Sequence, residues 1–151
     1  MAKKHNHYNA SIYEEAIRSV RTNIQFSNID KENRIIAITS SKPSEAKTTV
    51  IYSLAKSFAE NGEKVVLLDF DLRAPKLNIV SGVESNVGLT NVITGKVPIE
   101  RALIKDPSEG NLHILLSGPV PPNPAEILAS NHVRNLIEDL SDMFDYVFID
   151  T

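Results

Sequence analysis

The chain of 151 residues contains one loop whose residue types suit the binding of a nucleoside triphosphate. The loop runs from Thr39 to Thr49, is rich in serine and threonine, and ends in Lys47 and Thr48. A lysine ammonium can neutralise β- and γ-phosphates, and a hydroxyl beside it can bind Mg²⁺, when a helix N-terminus lies behind the loop. We therefore predict that ATP is bound by Ser44, Glu45, Ala46, Lys47, Thr48 and Thr49.

The same loop lacks the glycines of the usual phosphate-loop pattern. In the spacing G-x-x-x-x-G-K-[ST] they would occupy the positions of Ser41 and Ala46. A non-glycine residue held at positive φ costs about 1–2 kcal/mol, and its Cβ can block the approach of phosphate oxygens. We therefore expect weakened nucleotide binding. Considered alone, the loop is equally compatible with a polar turn that carries a surface lysine.

Three aspartates that follow buried apolar runs could complete such a site. Asp69 and Asp71 end the run that begins at Val65, and Asp150 ends the run that begins at Tyr146. Continuous apolar runs are typical of strands buried in a parallel sheet, and such sheets bind ligands at the carboxyl ends of their strands. Paired carboxylates there suit Mg²⁺ coordination and a general base for a hydroxyl. The strand before Asp150 resembles the Walker B element, which binds Mg²⁺ directly or through water.

The hydrophobic pattern predicts alternating strands and helices that would hold these residues at one sheet edge. This order is typical of an open, doubly wound α/β fold with a mostly parallel sheet of the P-loop NTPase kind. Strands are predicted over 34–41, 65–70, 112–116 and 146–150, and helices over 11–28, 48–61, 88–93, 98–104 and 124–140, with Ser11 as the N-cap of the first helix.

Composition narrows the functional classes. The net charge of −3 argues against a nucleic-acid-binding protein, and the absence of cysteine excludes disulfides and thiolate chemistry. The apolar runs fall far short of the ~20 residues that span a bilayer, and no apolar signal region follows Met1. A cytoplasmic location is therefore expected.

Taken together, the motifs resemble those of the bacterial tyrosine kinases that control capsule and exopolysaccharide synthesis. The resemblance covers nearly the whole chain. Beyond the phosphate loop it rests on residues 68–75 (LDFDLRAP), 88–90 (GLT) and 117–128 (SGPVPPNPAEIL), of which the last stretch is highly specific. It also includes Glu15, Arg18 and Arg21 on the first predicted helix, which match the family's E-x-x-R-x-x-R oligomerisation motif.

The resemblance implies a role for each candidate site residue. Lys47 would contact the β- and γ-phosphates, Thr48 and Asp71 would hold Mg²⁺, and Asp150 would assist the metal. Asp69 would accept the proton of the tyrosine. The implied reaction is the transfer of a phosphoryl group from ATP to a protein tyrosine, by positioning and charge neutralisation.

The resemblance also implies partners. In the family, the cytoplasmic tail of a membrane adaptor activates the kinase, and subunits of a ring phosphorylate one another's C-terminal tyrosine clusters. An adaptor tail at the inner face of the membrane, further copies of the chain and protein tyrosines are therefore the expected partners. Glu15, Arg18 and Arg21 would make the subunit contacts, although an ordinary i,i+3 ion-paired helix face explains the same three residues.

The predicted organisation is an N-terminal segment with the oligomerisation helix over 1–30 and a partial kinase or ATPase domain over 31–151. The chain departs from the family at Ser44 and Ala46, which replace two glycines, and its four tyrosines form no cluster. The C-terminal part of the fold is expected to be missing after the Walker B element. Two alternatives stay open: a P-loop ATPase of the partition and cell-division kind, with Lys42 as its signature lysine, and an inactive scaffold.

Overall fold

The computed structural model describes residues 2–29, 34–42 and 45–151, with side chains from residue 9 onward except that of Glu45. The described elements alternate between helix and strand along most of the chain. They are α1 (Ala2–Ser27), β1 (Ile35–Ile38), α2 (Glu45–Glu60), β2 (Val65–Asp69), α3 (Leu77–Ser81), α4 (Leu89–Ile93), α5 (Ile99–Ala102), β3 (Ile104–Asp106), β4 (Glu109–Leu115), α6 (Pro124–Leu128), α7 (Asn131–Met143) and β5 (Tyr146–Asp150).

The five described strands form one sheet in the order β1-β5-β2-β4-β3. The first four are parallel, and β3 pairs antiparallel with β4. The parallel register places Asp150 of β5 beside Ile38 of β1 on one side and beside Asp69 of β2 on the other. The predicted mostly parallel α/β fold is therefore confirmed, and the carboxyl ends of β1, β5 and β2 meet at one edge of the sheet.

The two central strands are buried along their whole length because helices cover both faces of the sheet. Every residue of β2 and β5 is buried. On one face, Leu67 and Phe148 pack against Phe58 of α2. On the other face, Val66 packs in a second core with Leu140 of α7. Alternate strand residues face opposite layers, and this explains why the strands read as continuous apolar runs.

Three predicted elements were wrong in their limits. The first helix begins at Ala2 rather than at residue 11, because no glycine or proline interrupts residues 2–27, and Ser11 therefore lies inside the helix and is not its N-cap. The helix predicted over 124–140 is two helices, because Ser130 is extended with φ −74° and ψ 154°. Ile104, predicted to end a helix, instead begins β3, the edge strand of a hairpin with β4.

Helix α1 packs on α2 and contributes Ile17 to the core that contains Phe58. Helix α3 was not predicted from the sequence. The predicted boundary between residues 30 and 31 falls outside the described residues and stays a prediction. In the described part of the chain, no helix has the length and apolarity required to cross a bilayer.

Candidate functional site

Asp150 joins the end of β5 to the first turn of α2. The Thr48 hydroxyl donates a hydrogen bond to Asp150 Oδ2 at 2.8 Å, although the two residues are 102 positions apart. Lys47 Nζ lies 3.4 Å from Asp150 Oδ1, and the side chains of Lys47 and Asp150 are 12% and 1% exposed. The predicted lysine, hydroxyl and Walker B carboxylate therefore meet in one buried cluster.

The oxygen atoms of this cluster suit Mg²⁺. Asp150 Oδ1 is buried and accepts no hydrogen bond, although the Lys47 ammonium lies nearby. A threonine hydroxyl that donates its one proton still has lone pairs for a cation. In the described residues no group of three or more acidic or histidine side chains is placed to hold a metal. The Asp150 carboxylate and the Thr48 hydroxyl are ligands of the kind that Mg²⁺ uses in proteins, where one or two carboxylates act together with substrate phosphates.

Asp69 is equally buried but has different partners. Its Oδ1 accepts the backbone N–H of Asp71 at 3.0 Å, and its Oδ2 accepts that of Leu77 at 3.4 Å. Burial raises the pKa of Asp69 to about 7, and the charges of Asp150 and Asp71 act in the same direction, while the two N–H groups oppose the shift. A carboxyl group that titrates near neutral pH suits proton transfer.

Asp71 lies beyond the end of β2 and is half-buried. Its Oδ1 accepts the backbone N–H of Ala74 at 3.3 Å, which closes the turn after the strand. The structure records no contact of Asp71 with Thr48 or Asp150. Its predicted role as a metal ligand therefore stays a prediction.

The phosphate loop shows no backbone strain in its described part. Ala46 is exposed in the first turn of α2, and no described non-glycine residue has a positive φ. Ser41 and Ala46 therefore carry none of the positive-φ strain considered for those positions, and the expected weakening of nucleotide binding stays a prediction. Thr49 is exposed, Ser44 lies outside the described residues, and so does the side chain of Glu45.

The chain is similar over most of its length to proteins of a known family. The sequence profile described as "AAA domain" matches residues 33–151. The tyrosine-protein kinase YwqD of Bacillus subtilis is 40% identical over 141 residues, which are 93% of this chain and 59% of YwqD. The crystal structure of the VpsO kinase domain is 30% identical with a TM-score of 0.79, over 95% of this chain and 71% of that one. The chain belongs to the bacterial tyrosine kinase family.

Other P-loop proteins match this chain less closely in fold and over a smaller part of its length. The septum site-determining protein MinD of Pyrococcus horikoshii, solved with Mg-ADP, is 32% identical with a TM-score of 0.66. That match covers 78% of this chain and 48% of MinD. The chain also spans only about three fifths of YwqD.

The three residues that match the family's oligomerisation motif differ in their surroundings. Glu15 and Arg18 are exposed on α1 and form no ion pair with each other. Arg21 instead donates to Ser57 of α2, to its hydroxyl at 2.9 Å and its carbonyl at 3.1 Å. Arg21 therefore fastens α1 to α2 within one subunit. The predicted subunit contacts stay a prediction.

The sequence analysis did not identify several residues that line a cavity beside Asp69. These residues belong to α3 and to the segment after it: Asn78, Glu84, Ser85 and Asn86. They line a cavity together with Ser117 and Gly118, which begin the matched stretch 117–128 but were given no role from the sequence. They carry no metal-ligand or nucleophile spacing that a motif search would find. Their location could have been inferred from the predicted order of strands, because residues that follow neighbouring parallel strands lie at the same carboxyl edge of the sheet.

Proposed function

We propose that the chain carries the ATP-binding and phosphoryl-transfer residues of a protein-tyrosine kinase that regulates capsular or exopolysaccharide synthesis. The observation that supports this most directly is the buried contact of Lys47 and Thr48 with Asp150. It assembles a phosphate-binding lysine, an Mg²⁺-binding hydroxyl and a carboxylate at the N-terminus of α2, where the helix dipole favours phosphate. Membership of the bacterial tyrosine kinase family supports tyrosine as the acceptor.

Different residues of the chain have separate roles in the transfer of the phosphoryl group. Lys47 binds the β- and γ-phosphates. Thr48, Asp150 and Asp71 would hold Mg²⁺, which would neutralise phosphate charge. Asp69 accepts the phenol proton as the tyrosine oxygen bonds to the γ-phosphorus. The bond from that phosphorus to the bridging oxygen breaks, and ADP leaves with the electron pair. The Thr48 hydroxyl donates its one proton to Asp150, and its lone pairs are therefore available to Mg²⁺.

The partners follow from the family. We infer that the cytoplasmic tail of a membrane adaptor activates the chain at the inner face of the membrane, and that copies of the chain form a ring. Exposed Glu15 and Arg18 would serve the subunit contacts. On the same helix, the apolar side chains of Ile12 and Val20 are 50% and 45% exposed.

A partition-type ATPase is the second candidate, and the likeness to MinD solved with Mg-ADP favours it. In that case Lys42, which is exposed in the same loop, would act in hydrolysis. The two candidates differ in the acceptor of the phosphoryl group, which is a tyrosine in one and water in the other.

Calorimetric titration with Mg·ATP, followed by addition of adaptor tail and a tyrosine peptide, separates the candidates. The kinase predicts binding and one phosphotyrosine formed for each ADP. Release of inorganic phosphate without phosphotyrosine would favour the ATPase, and no binding at millimolar ATP would favour the inactive scaffold.

Lys47→Met and Lys42→Met form a matched pair of variants, because both remove one lysine of the same loop. The kinase predicts that Lys47→Met weakens ATP binding by at least tenfold, since a charge-assisted contact to phosphate contributes about 1.5–3 kcal/mol. Lys42→Met then leaves binding and transfer unchanged. Loss of turnover in Lys42→Met with retained ATP binding would contradict the kinase assignment and support hydrolysis.

A further inference from the structure

The chain contains four tyrosines, and the three whose side chains are described have very different surroundings. Tyr146 is buried in β5 against two phenylalanine rings. The Tyr52 hydroxyl donates to Asp106 Oδ2 at 2.6 Å, and burial together with this hydrogen bond raises the pKa of Tyr52 to about 12. Tyr13 on α1 is 39% exposed. Of these three phenols, Tyr13 is therefore the one that a second protein molecule can reach.

The part of α1 that carries Tyr13 is weakly attached to the rest of the protein. All residues from 9 to 16 are exposed, and the next residue, Ile17, is buried in the core. The recorded hydrogen bond from this stretch to another element is that of the Tyr13 hydroxyl, which donates to Ser53 Oγ of α2 at 3.1 Å. A segment that buries little apolar area opens at low cost in free energy. The stretch around Tyr13 can therefore separate from α2 while the core stays folded.

Helix α2 separates Tyr13 from the phosphate-binding cluster of the same chain. Ser53, which contacts Tyr13, follows Thr48 by five positions. At 3.6 residues per turn, this spacing corresponds to a rotation of about 140° around the helix. Thr48 faces Asp150, whereas Ser53 faces α1. In the folded chain the Tyr13 phenol therefore points away from its own cluster, and a phosphoryl group would have to come from another copy.

A cavity of about 410 Å³ between α1 and α2 opens beside the Tyr13 hydroxyl. The charged residues that line it are Glu14, Arg18, Lys56 and Glu60. Lys56 is half-buried and follows Ser53 by three positions, so that it lies on the same face of α2 as the hydroxyl that Tyr13 contacts. Glu60 lies about two turns beyond Ser53. Lys56 is therefore placed to form a charge-assisted contact with a phosphate on Tyr13.

We propose that Tyr13 is an acceptor tyrosine of this chain, that a second copy phosphorylates it, and that Lys56 then holds the phosphate in the cavity between α1 and α2. The inference rests on the proposed kinase function. In the transfer, the Tyr13 oxygen bonds to the γ-phosphorus of ATP, and its proton passes to Asp69 of the second copy. ADP leaves with the electron pair of the bond that breaks. The modification replaces a neutral hydrogen bond to Ser53 by an ion pair between the same two helices.

Site mapping by mass spectrometry tests the acceptor. Wild-type chain is incubated with Mg·ATP, adaptor tail and isotope-labelled Lys47→Met chain, which serves only as the acceptor. Phosphotyrosine is expected at Tyr13 of the labelled chain, and Tyr13→Phe in that chain should remove most of it. Tyr8→Phe is the matched control, because it makes the same change in the same helix and should leave the modification in place. Phosphorylation that Tyr13→Phe does not reduce would overturn the proposal.

A tyrosine peptide in the same reaction separates this proposal from the kinase assignment. A phosphorylated peptide beside an unmodified Tyr13 would reject the acceptor site and leave the kinase function intact. If the wild-type chain phosphorylates neither, an active tyrosine kinase of the same family replaces it as the enzyme. Modification of Tyr13 in that reaction supports the acceptor site although the kinase assignment fails, and an unmodified Tyr13 overturns the site.

Amide hydrogen exchange of phosphorylated and unphosphorylated chain tests the role of Lys56. Phosphorylation should slow exchange in residues 9–16 by about threefold or more, the size of a partly exposed ion pair. Lys56→Met should abolish this protection without reducing the phosphorylation of Tyr13. Lys96→Met, which removes an exposed lysine after α4, is the matched control and should retain the protection. Protection that persists in Lys56→Met, or that is absent from the wild type, would overturn the proposed binding of the phosphate in this cavity.

Discussion

Asp69 and Asp150 are the same residue type, lie side by side in the sheet, and are each 1% exposed, yet their partners differ completely. Asp150 receives a hydroxyl and an ammonium from the first turn of α2, which is distant in sequence. Asp69 receives two backbone N–H groups from the segment that follows its own strand. The two carboxylates are therefore distinguished by the groups that contact them and not by their burial.

The difference has a chemical consequence. A carboxylate beside a cation and a hydroxyl is arranged to hold charge, which suits a metal and phosphate centre. A buried carboxyl without a cation has a raised pKa and can take up a proton near neutral pH. Two adjacent aspartates can thus serve as a charge-holding group and a proton acceptor.

The largest expected effect is that of Asp69→Asn on phosphoryl transfer. Removing a general base lowers the rate by about 10²–10⁴-fold, whereas the Kd for Mg·ATP should stay within about twofold because Asp150 holds the nucleotide side. Single-turnover transfer and calorimetry measure the two quantities. A parallel loss of transfer rate and ATP affinity would contradict this division, because it would show that Asp69 contributes to nucleotide binding as Asp150 does.

The second expected effect concerns stability and pH. Because the folded pKa of Asp69 is about 7, above its unfolded value, the folded state keeps a proton that the unfolded chain releases. Between about pH 4 and pH 7 this group therefore makes stability fall as pH rises, by up to about 4 kcal/mol. Urea unfolding measured across this pH range should show a smaller decrease in the free energy of unfolding for Asp69→Asn than for the wild type. An identical profile in wild type and variant would contradict the raised pKa.

Asp150→Asn should weaken Mg·ATP binding by about 10–100-fold, because it removes the negative charge that faces Lys47 and the proposed metal. It should also lower the pKa of Asp69, since the charge of Asp150 helps to raise it. Calorimetry and the pH dependence of unfolding measure the two effects. Asp142→Asn, an exposed change on α7, is the control and should alter neither.

A smaller effect is expected at the contact that holds α2 in place. Arg21→Ala and Ser57→Ala remove the same interaction between α1 and α2 and should each cost about 1–2 kcal/mol of unfolding free energy. A double-mutant cycle at concentrations where the protein is monomeric should show the costs to be non-additive. Additive costs would mean that Arg21 acts elsewhere, for example at a subunit contact.

The smallest effect is expected for Ala46→Gly, beside the lysine that contacts Asp150. Ala46 already has a negative φ in the first turn of α2, and glycine there relieves no strain. ATP affinity should change by less than about threefold and stability by less than about 1 kcal/mol. A tenfold gain in affinity would show that the Cβ of Ala46 obstructs phosphate.

Much of the fold was predictable because β2 and β5 are buried on both faces and are therefore apolar at every position up to the final aspartate. The split between α6 and α7 was not, because it depends on the backbone angles of Ser130 in an otherwise helical pattern. The edge strand β3 was missed for a similar reason, since three residues carry too little periodicity and their pairing with β4 is non-local.

The residue types along the chain are enough to locate the reactive groups: a lysine and a hydroxyl at a helix start, and aspartates at strand ends. The way in which these groups are paired depends on the folded sheet. Parallel register brings Asp150 within reach of Lys47 and Thr48, and the same register leaves Asp69 to backbone N–H groups and a cavity. Contacts across about 100 residues depend on strand order, and the residue types at those positions do not specify that order.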